Sequence, residues 1–415
     1  MSVDDVDVLV IGAGLAGLRC AGMLTAAGRE VRVWEASDAV GGRVRTDVID
    51  GFRCDRGFQV LNPAYSEIGR AVDVEALRLQ AFGPGVAVRR EHGSTVWVHP
   101  LRAPARVPAM LGRGGLGLRN LVAAARWAAP ALRSRALTST GDDRSLGSAL
   151  DAAGVHGELR RVIDRFLAGV LLEGSGDTSN AFVLLLLRMF VLGVPALPAE
   201  GMQALPRQLA APISDRIALQ HNVVDMSREG SRWRVTGGAG AVRAAQVVIA
   251  TDPVSAAELA GLSVPRMHGV VTDWWASDDA PTDPPMLWVD GRSEAPGPVV
   301  NTAVISAAAP TYAPPGRHLV AVSALLGKDG SAPDESVMRC HAADILGTDA
   351  ARWTLLVRHV VPRALPAQQP PLAVRRPVRL GDGRWVCGDH RDTASIQGAL
   401  VSGRRTAEAL LKSLG

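Results

Sequence analysis

Val8-Leu-Val-Ile-Gly-Ala-Gly-Leu-Ala-Gly17, followed by Val31-Arg-Val-Trp-Glu35, decides how the rest of this chain is read. Its aliphatic opening has the pattern of a strand buried on both faces. Gly12 permits a tight turn out of that strand, and Gly14 lets the backbone approach a pyrophosphate. Gly17 lets the next helix pack closely on the sheet, with Ala13 and Ala16 as the small residues between. The helix N-terminus then meets phosphate with free N–H groups and the positive end of its dipole. Glu35, with Ala36 after it, ends the second strand about twenty residues on, where a carboxylate accepts hydrogen bonds from ribose hydroxyls. Ala21, Leu24 and Gly28 hold their places in the pattern. The stretch therefore reads as a dinucleotide site rather than a plain glycine-rich turn. Which dinucleotide it takes is open at this point.

Composition narrows the class. A chain of 415 residues is long for one core, so two domains are expected. Hydrophobic residues make up 47% and charged residues 21%, which excludes a disordered chain. A formal charge of +4 is small for this length and gives no reason to expect a nucleic-acid partner. Cys20, Cys54, Cys340 and Cys387 lie far apart with no CxxC spacing, which argues against zinc or a redox pair. They are expected as buried, reduced thiols of a cytoplasmic protein. The start, Met1-Ser-Val-Asp-Asp5, is acidic and leads straight into the first strand, so no signal peptide is expected. The basic residues are nearly all arginine, and Lys328 and Lys412 are the only lysines.

After the second strand comes Gly41-Gly42-Arg43-Val-Arg-Thr46, then Asp55-Arg-Gly-Phe-Gln-Val60. The Gly41-Gly42 pair marks a sharp backbone feature, and Arg43 offers a bidentate fork for phosphate. Asp55 and Gly57 lie on a segment that passes something flat or bulky. At the far end, Trp385-Val-Cys-Gly-Asp-His-Arg-Asp-Thr-Ala-Ser-Ile-Gln397 reads as a strand, a Gly-Asp pair, a loop and a helix start near Ser395.

Together these motifs resemble the superfamily of flavin amine oxidases, phytoene desaturases and protoporphyrinogen oxidases. The resemblance covers the whole chain. It implies an α/β fold, with a Rossmann-like FAD-binding domain of the glutathione-reductase type and an inserted α+β substrate-binding domain. The implied division gives 1–83, 199–264 and 377–415 to FAD, and 84–198 and 265–376 to substrate. It implies that Gly42 and Arg43 lie along the pyrophosphate and that Gly57, Phe58 and Gln59 pass the isoalloxazine. It further implies Val223 and Thr251 near the adenine, Gly388 and Asp389 near the ribityl–pyrophosphate, and Ile396 and Gln397 at the isoalloxazine. For Val223, a plain core valine is nearly as good a reading.

Between these landmarks, 84–99 reads as a hairpin with a Glu91-His-Gly93 turn, and His92 as a solvated turn residue. Leu101 to Arg135 holds seven arginines and no acid. It is either a basic amphipathic segment against an anionic membrane surface or a helical cap with solvated arginines. Residues 145–172 read as two helices, the first opened by Asp142-Asp143. Residues 181–192 read as a very apolar helix, too short to span a bilayer. That helix is buried or lines an apolar cavity, and Arg188 inside it requires a partner or a ligand. Strands are expected at 217–226, 233–235, 242–249, 270–275, 299–306, 318–326 and 353–361, with a helix at 334–346. His268, His318, His341 and His359 show no metal spacing and are read as structural.

The flavin would carry the redox chemistry while the protein orients substrate. With a single dinucleotide fingerprint there is no NADPH domain, so electrons are expected to leave to oxygen or a quinone. Amine oxidases of the superfamily generally place a lysine near the flavin, and no lysine lies between Met1 and Gly327. Cys387 lies within the last strand, so the FAD is expected to be non-covalent. Residues 58–65, the apolar helix and Pro198-Ala-Glu-Gly-Met202 look more like the phytoene-dehydrogenase branch, with apolar isoprenoid substrates. The alternatives are an amine oxidase, a redox-neutral flavin isomerase, and a non-enzymatic carrier of apolar ligands. Glu173, Asp177 and Arg188 are candidates for acid–base work by location alone, and no catalytic residue is assigned.

Overall fold

A computed structural model describes residues 4–98, 102, 105, 116–132, 143–238, 240–282 and 284–414. β1 (Asp4–Ile11) runs parallel to β2 (Val31–Trp34), and α1 (Leu15–Ala26) connects them. Val8, Leu9 and Val10 are fully buried, as an aliphatic run between two covered faces requires. The sheet has eight strands. Gly240–Ile249 lies parallel to β1 on its other side, and Arg384–Val386 continues the parallel layer beyond it. Strands from the start, middle and end of the chain are thus neighbours in one sheet.

The expected strand at 217–226 divides in two. Ile217–Ala218 extends the sheet beside β2, whereas Val223–Glu229 lies at the opposite edge. The backbone breaks at Gln220, whose φ of 57° is incompatible with a continuous strand.

A second, seven-stranded sheet runs in the order Thr354–Pro366, Met267–Ser277, His318–Leu325, Val299–Val304, Leu287–Asp290, Gly85–Arg89 and Ser94–Val98. The 84–99 hairpin is therefore part of a large sheet, and the strand holding Trp274 and Trp275 has a neighbour on each side. Helix Glu335–Leu346 packs on one face through Met338, Ala342 and Ile345. Cys340, off that buried stripe, is exposed, contrary to the expectation of four buried thiols; the other three are buried.

This sheet contains a buried polar staple. Asp290 accepts hydrogen bonds from Arg292 and from His341 Nε2 at 2.9 Å, while His341 Nδ1 accepts from the Val299 amide at 3.0 Å. Burial works against the Asp290 charge, but these donors hold the carboxyl well below the usual range. Replacing His341 with alanine strands a buried N–H and removes one of those donors. The expected loss is about 2–4 kcal/mol, read from the urea midpoint, with no change in flavin content.

Helices Leu146–Ala153, Gly157–Leu171 and Asn180–Leu192 form a separate apolar cluster, and Ser179 caps the last by accepting from the Phe182 amide. Asp143 does not open the first of them. It accepts from Ser179 Oγ and the amides of Ala181 and Leu372, tying the third helix to a distant loop. Arg188 is only half-buried and donates to the carbonyls of Ala131 and Leu132, so it needs no ligand. Of the arginine-rich run 101–135, only Arg102, Ala105 and 116–132 fall within the described residues. Leu118–Ala128 is a helix there, with Leu118 and Val122 exposed. No helix among the described residues is long and apolar enough to cross a membrane.

Candidate functional site: a dinucleotide cradle and its junction with the second sheet

The glycines of the first motif divide by what faces them. A Cβ on Gly12 would lie 2.7 Å from the Ala250 carbonyl oxygen, and one on Gly17 only 2.0 Å from that of Gly12. Both are closed in by backbone. A Cβ on Gly14 or Gly57 would meet nothing within 4 Å, and on Gly42 only Gly14 Cα at 3.4 Å. Gly41 donates to the Ala13 carbonyl at 2.8 Å, bringing the second glycine loop against the first. The α1 N-terminus carries no side-chain cap and no acid in its first turn. Ala16 lies buried in that turn, where a Cβ on Gly403 of helix Ile396–Leu414 would come within 2.2 Å of its carbonyl oxygen. An open, anion-seeking cradle is thus held by tightly packed backbone.

Glu35 is buried at the rim. One oxygen accepts from the Ala13 amide at 2.7 Å and the other from the Ser37 amide and hydroxyl. An ionised carboxylate offers about four acceptor positions, so one remains for a ribose hydroxyl. Ala36 beside it is exposed. Thr251 lies behind Gly12, and its hydroxyl bonds to the Asp252 carbonyl. Val223 is half-buried against the cluster of Trp34 and Trp233.

Arg43 and Asp389, 346 residues apart in sequence, form an ion pair at 2.7 Å, and Arg43 also donates to the Ala364 carbonyl. Burial works against the Arg43 charge, but Asp389 more than offsets it and raises the pKa. Gly388 donates to Ser402 Oγ at 3.0 Å. The adjacent His390, unremarked in the sequence, is buried with neither ring nitrogen hydrogen-bonded among the described residues. Burial pushes its pKa down to about 4, so the ring is neutral. The open space at Gly14, Gly42 and Gly57, the uncapped α1 N-terminus and the Arg43 guanidinium fit a bound dinucleotide, offering N–H groups and positive charge to a polyanionic ligand. Ile396 packs into the central core, while Gln397 accepts from the Glu67 amide and donates to Ser66 Oγ.

Asp55 is the junction between this cradle and the second sheet. Its carboxyl accepts from Thr46 Oγ1, the Met202 amide and Tyr312 Oη, while its carbonyl accepts from Trp274 Nε1 and His359 Nδ1. Burial raises its pKa to about 6. His359 also reaches Asp47 at 3.0 Å, so this histidine supports the site segment itself. Gln59 donates to the carbonyls of Arg43 and Arg56, and Phe58 donates its amide to Thr272 Oγ1. The turn Asp55–Gln59 is thereby clamped from both sides. Only a residue count joins these partners in the sequence, and no periodic signal marks them.

The location-based candidates for acid–base work fare differently. Burial opposes the charge on Glu173, but hydrogen bonds from Ser175 and Thr178 outweigh it and hold its pKa low. It braces its own loop, and Asp177 accepts from the same Ser175. Lys328 and Lys412 are both exposed.

The same chain-long pattern emerges from known proteins. Residues 15–411 match the family described as flavin containing amine oxidoreductase. Putrescine oxidase of Kocuria rosea is 40% identical over 94 residues, which are 23% of this chain and 18% of that protein. Phytoene dehydrogenase of Streptomyces griseus is 31% identical over 257 residues, 54% of this chain and 50% of that protein. The matched regions thus span half or less of each relative. An oxidoreductase from Methanosarcina mazei shares the fold with a TM-score of 0.77 at 19% identity, covering 97% of this chain and all of that one. With a match running from α1 into the last helix, and with a glycine cradle at its head, this chain belongs to the flavin-containing amine oxidoreductase family.

Proposed function

We propose that this flavoenzyme binds FAD non-covalently and oxidises an apolar, isoprenoid-like small molecule, with oxygen or a quinone as electron acceptor. One observation carries the apolar reading. Phe182, Val183 and Leu186 of helix Asn180–Leu192 share a continuous apolar cluster with Leu372 and Ala394. Ala394 stands two residues before the helix start at Ile396, the proposed flavin contact. A packed apolar core therefore extends from these helices to the segment just before helix Ile396–Leu414, where we place the flavin. The 31% identity to a phytoene dehydrogenase supports the same reading. So does the exposure of both lysines, which leaves none for an amine-oxidase role near the ring.

In this reading Gly12, Ala13, Gly14, Ala16 and Gly17 shape the pyrophosphate cradle, with Gly42 opposite. The α1 N-terminus and Arg43 supply positive charge. Glu35 with Ala36 meets the ribose, and Val223 and Thr251 flank the adenine. Gly388 and Asp389 meet the ribityl–pyrophosphate region, with the buried His390 behind them, while Gly57, Phe58, Gln59, Ile396 and Gln397 surround the ring. When bound, FAD supplies two-electron redox chemistry. Segments 1–83, 199–264 and 377–415 hold it, and 84–198 and 265–376 hold substrate. Exposed Leu118, Val122 and Leu132 support peripheral contact of 101–135 with an anionic inner-membrane face.

The purified protein is expected to be yellow and to release its flavin on acid precipitation. Under anaerobic conditions an isoprenoid should bleach the flavin, and putrescine or an aromatic amine should not. Bleaching by amines alone, with hydrogen peroxide released in air, would replace this reading with amine oxidation. Conversion of an isoprenoid by the pre-reduced protein without net use of reductant would make it an isomerase.

A further inference from the structure

One face of the second sheet carries a polar row where its neighbours are apolar. His359, Thr272, Ser323 and Asn301 are paired in register across four adjacent strands, so they share that face. The Phe58 amide bonds to Thr272 Oγ1, and Thr272 Oγ1 lies 3.0 Å from Ser323 Oγ. The row thus starts under the turn assigned to the flavin ring and runs away from it. The next row on one side is Trp274, Ala321 and Ala303, which belong to the filled core. The next row on the other side is Val361, Val270 and Leu325, of which Val361 and Leu325 are only half-buried.

Asn301 ends the row, and it is the anomaly. It is 4% exposed, yet its side-chain amide makes no hydrogen bond among the described residues. Its amide atoms are not among the sealed-off side-chain atoms that lack a partner, so from a nearly enclosed residue they still face open space, where a ligand oxygen can engage two donors or an acceptor. The chain makes room for it. A Cβ on Gly169, inside helix Gly157–Leu171, would fall 2.1 Å from Asn301 Nδ2. Glycine inside a helix costs about 1 kcal/mol relative to alanine, so the amide is accommodated at the expense of helix stability. Beyond the helix end, a Cβ on Gly174 would lie 3.5 Å from Leu325 Cδ1, so this segment also overhangs the apolar row.

We propose that Asn301, with Ser323, is a specificity subsite for one neutral oxygen function, a hydroxyl or carbonyl, on an otherwise apolar substrate. The proposal rests on the apolar-substrate reading and narrows it: a pure hydrocarbon leaves the Asn301 amide unpaired, whereas a hydroxyl or carbonyl satisfies it. His359, at the far end of the row, has both ring nitrogens already facing acceptors.

The test titrates the oxidised holoenzyme with farnesol and with farnesene, its hydrocarbon counterpart, following the flavin absorbance and tryptophan fluorescence. Farnesol is expected to bind about tenfold more tightly, the worth of one net hydrogen bond of about 1.4 kcal/mol. Asn301→Leu is expected to erase that preference while keeping its flavin, and Gly169→Ala to erase it by displacing the amide. Ser323→Ala should reduce it. Equal binding of the two probes to wild type, or a preference unchanged in Asn301→Leu, overturns the subsite and leaves the apolar reading intact. Failure of both probes to bind wild type overturns the two together. Loss of flavin from Asn301→Leu would assign the row to the cofactor, and also overturns the proposal. If Asn301→Leu does not fold, the Gly169→Ala result decides.

Discussion

Gly14→Leu is expected to yield a folded, soluble protein that is colourless. Gly14 has φ −72° and ψ 175°, which any residue adopts, and a Cβ there meets nothing within 4 Å. The leucine Cβ therefore meets no protein atom, and the side chain enters the space we assign to the pyrophosphate. Flavin content should fall at least tenfold, with circular dichroism of the apoprotein unchanged. Gly12→Leu is the contrasting control. Its φ is 106°, and its Cβ would press on the Ala250 carbonyl at 2.7 Å. That variant should fail to fold, because the obstacle is backbone of a buried parallel strand end. A yellow Gly14→Leu protein with normal flavin content would place the cofactor elsewhere.

Asp55→Ala is expected to have the largest effect on stability of any single side-chain truncation in the site. It strands Thr46 Oγ1, Tyr312 Oη and the Met202 amide in the core at once. The expected loss is about 3–5 kcal/mol by urea denaturation, against about 1 kcal/mol for Tyr312→Phe, which removes the donor to Asp55 Oδ2 while Oδ1 keeps its two. Flavin should be lost with it, since the same residue anchors the turn holding Gly57–Gln59. Burial raises the folded pKa to about 6 from the ordinary 3.8. Folding thus favours the protonated acid. This contribution is fully present below about pH 4 and is lost as pH rises through 6, a change of about 3 kcal/mol. Asp273, also raised to about 6 by burial, adds a slope of the same sign. Asp55→Asn should therefore flatten part of the wild-type decline in stability between pH 4 and 6. An Asp55→Asn protein with the full wild-type slope would show that Asp55 does not titrate there.

The cradle was legible because its physics is local. A buried strand, glycines where backbone must turn or approach, an uncapped helix start and an acid after the second strand are constraints within some 25 residues, and each leaves a residue type behind. The Gly-Gly-Arg and Gly-Asp motifs were legible for the same reason. The short helices and the hairpin at 84–99 followed from their periods and turn residues. Less local features misled. Residues 217–226 alternate like one strand, yet Gln220 turns the chain, because the two halves serve opposite edges of a sheet built by other segments. Arg188 looked like a buried charge inside an apolar helix, but the carbonyls that receive it come from residues 131 and 132.

By itself, then, the sequence marked Gly12–Gly17 as the candidate dinucleotide site, with Glu35, Arg43 and Asp389 as its proposed polar attendants. Only the tertiary structure decided that Arg43 and Asp389 pair, that His390 is buried with no hydrogen-bond partner among the described residues, and that Asp55 joins the cradle to Trp274, Tyr312 and His359. Glycine sterics and strand–turn–helix geometry act over a few residues and can be read in order. The energy of a buried polar group depends on which distant atoms reach it, and those partners share no spacing that a sequence displays.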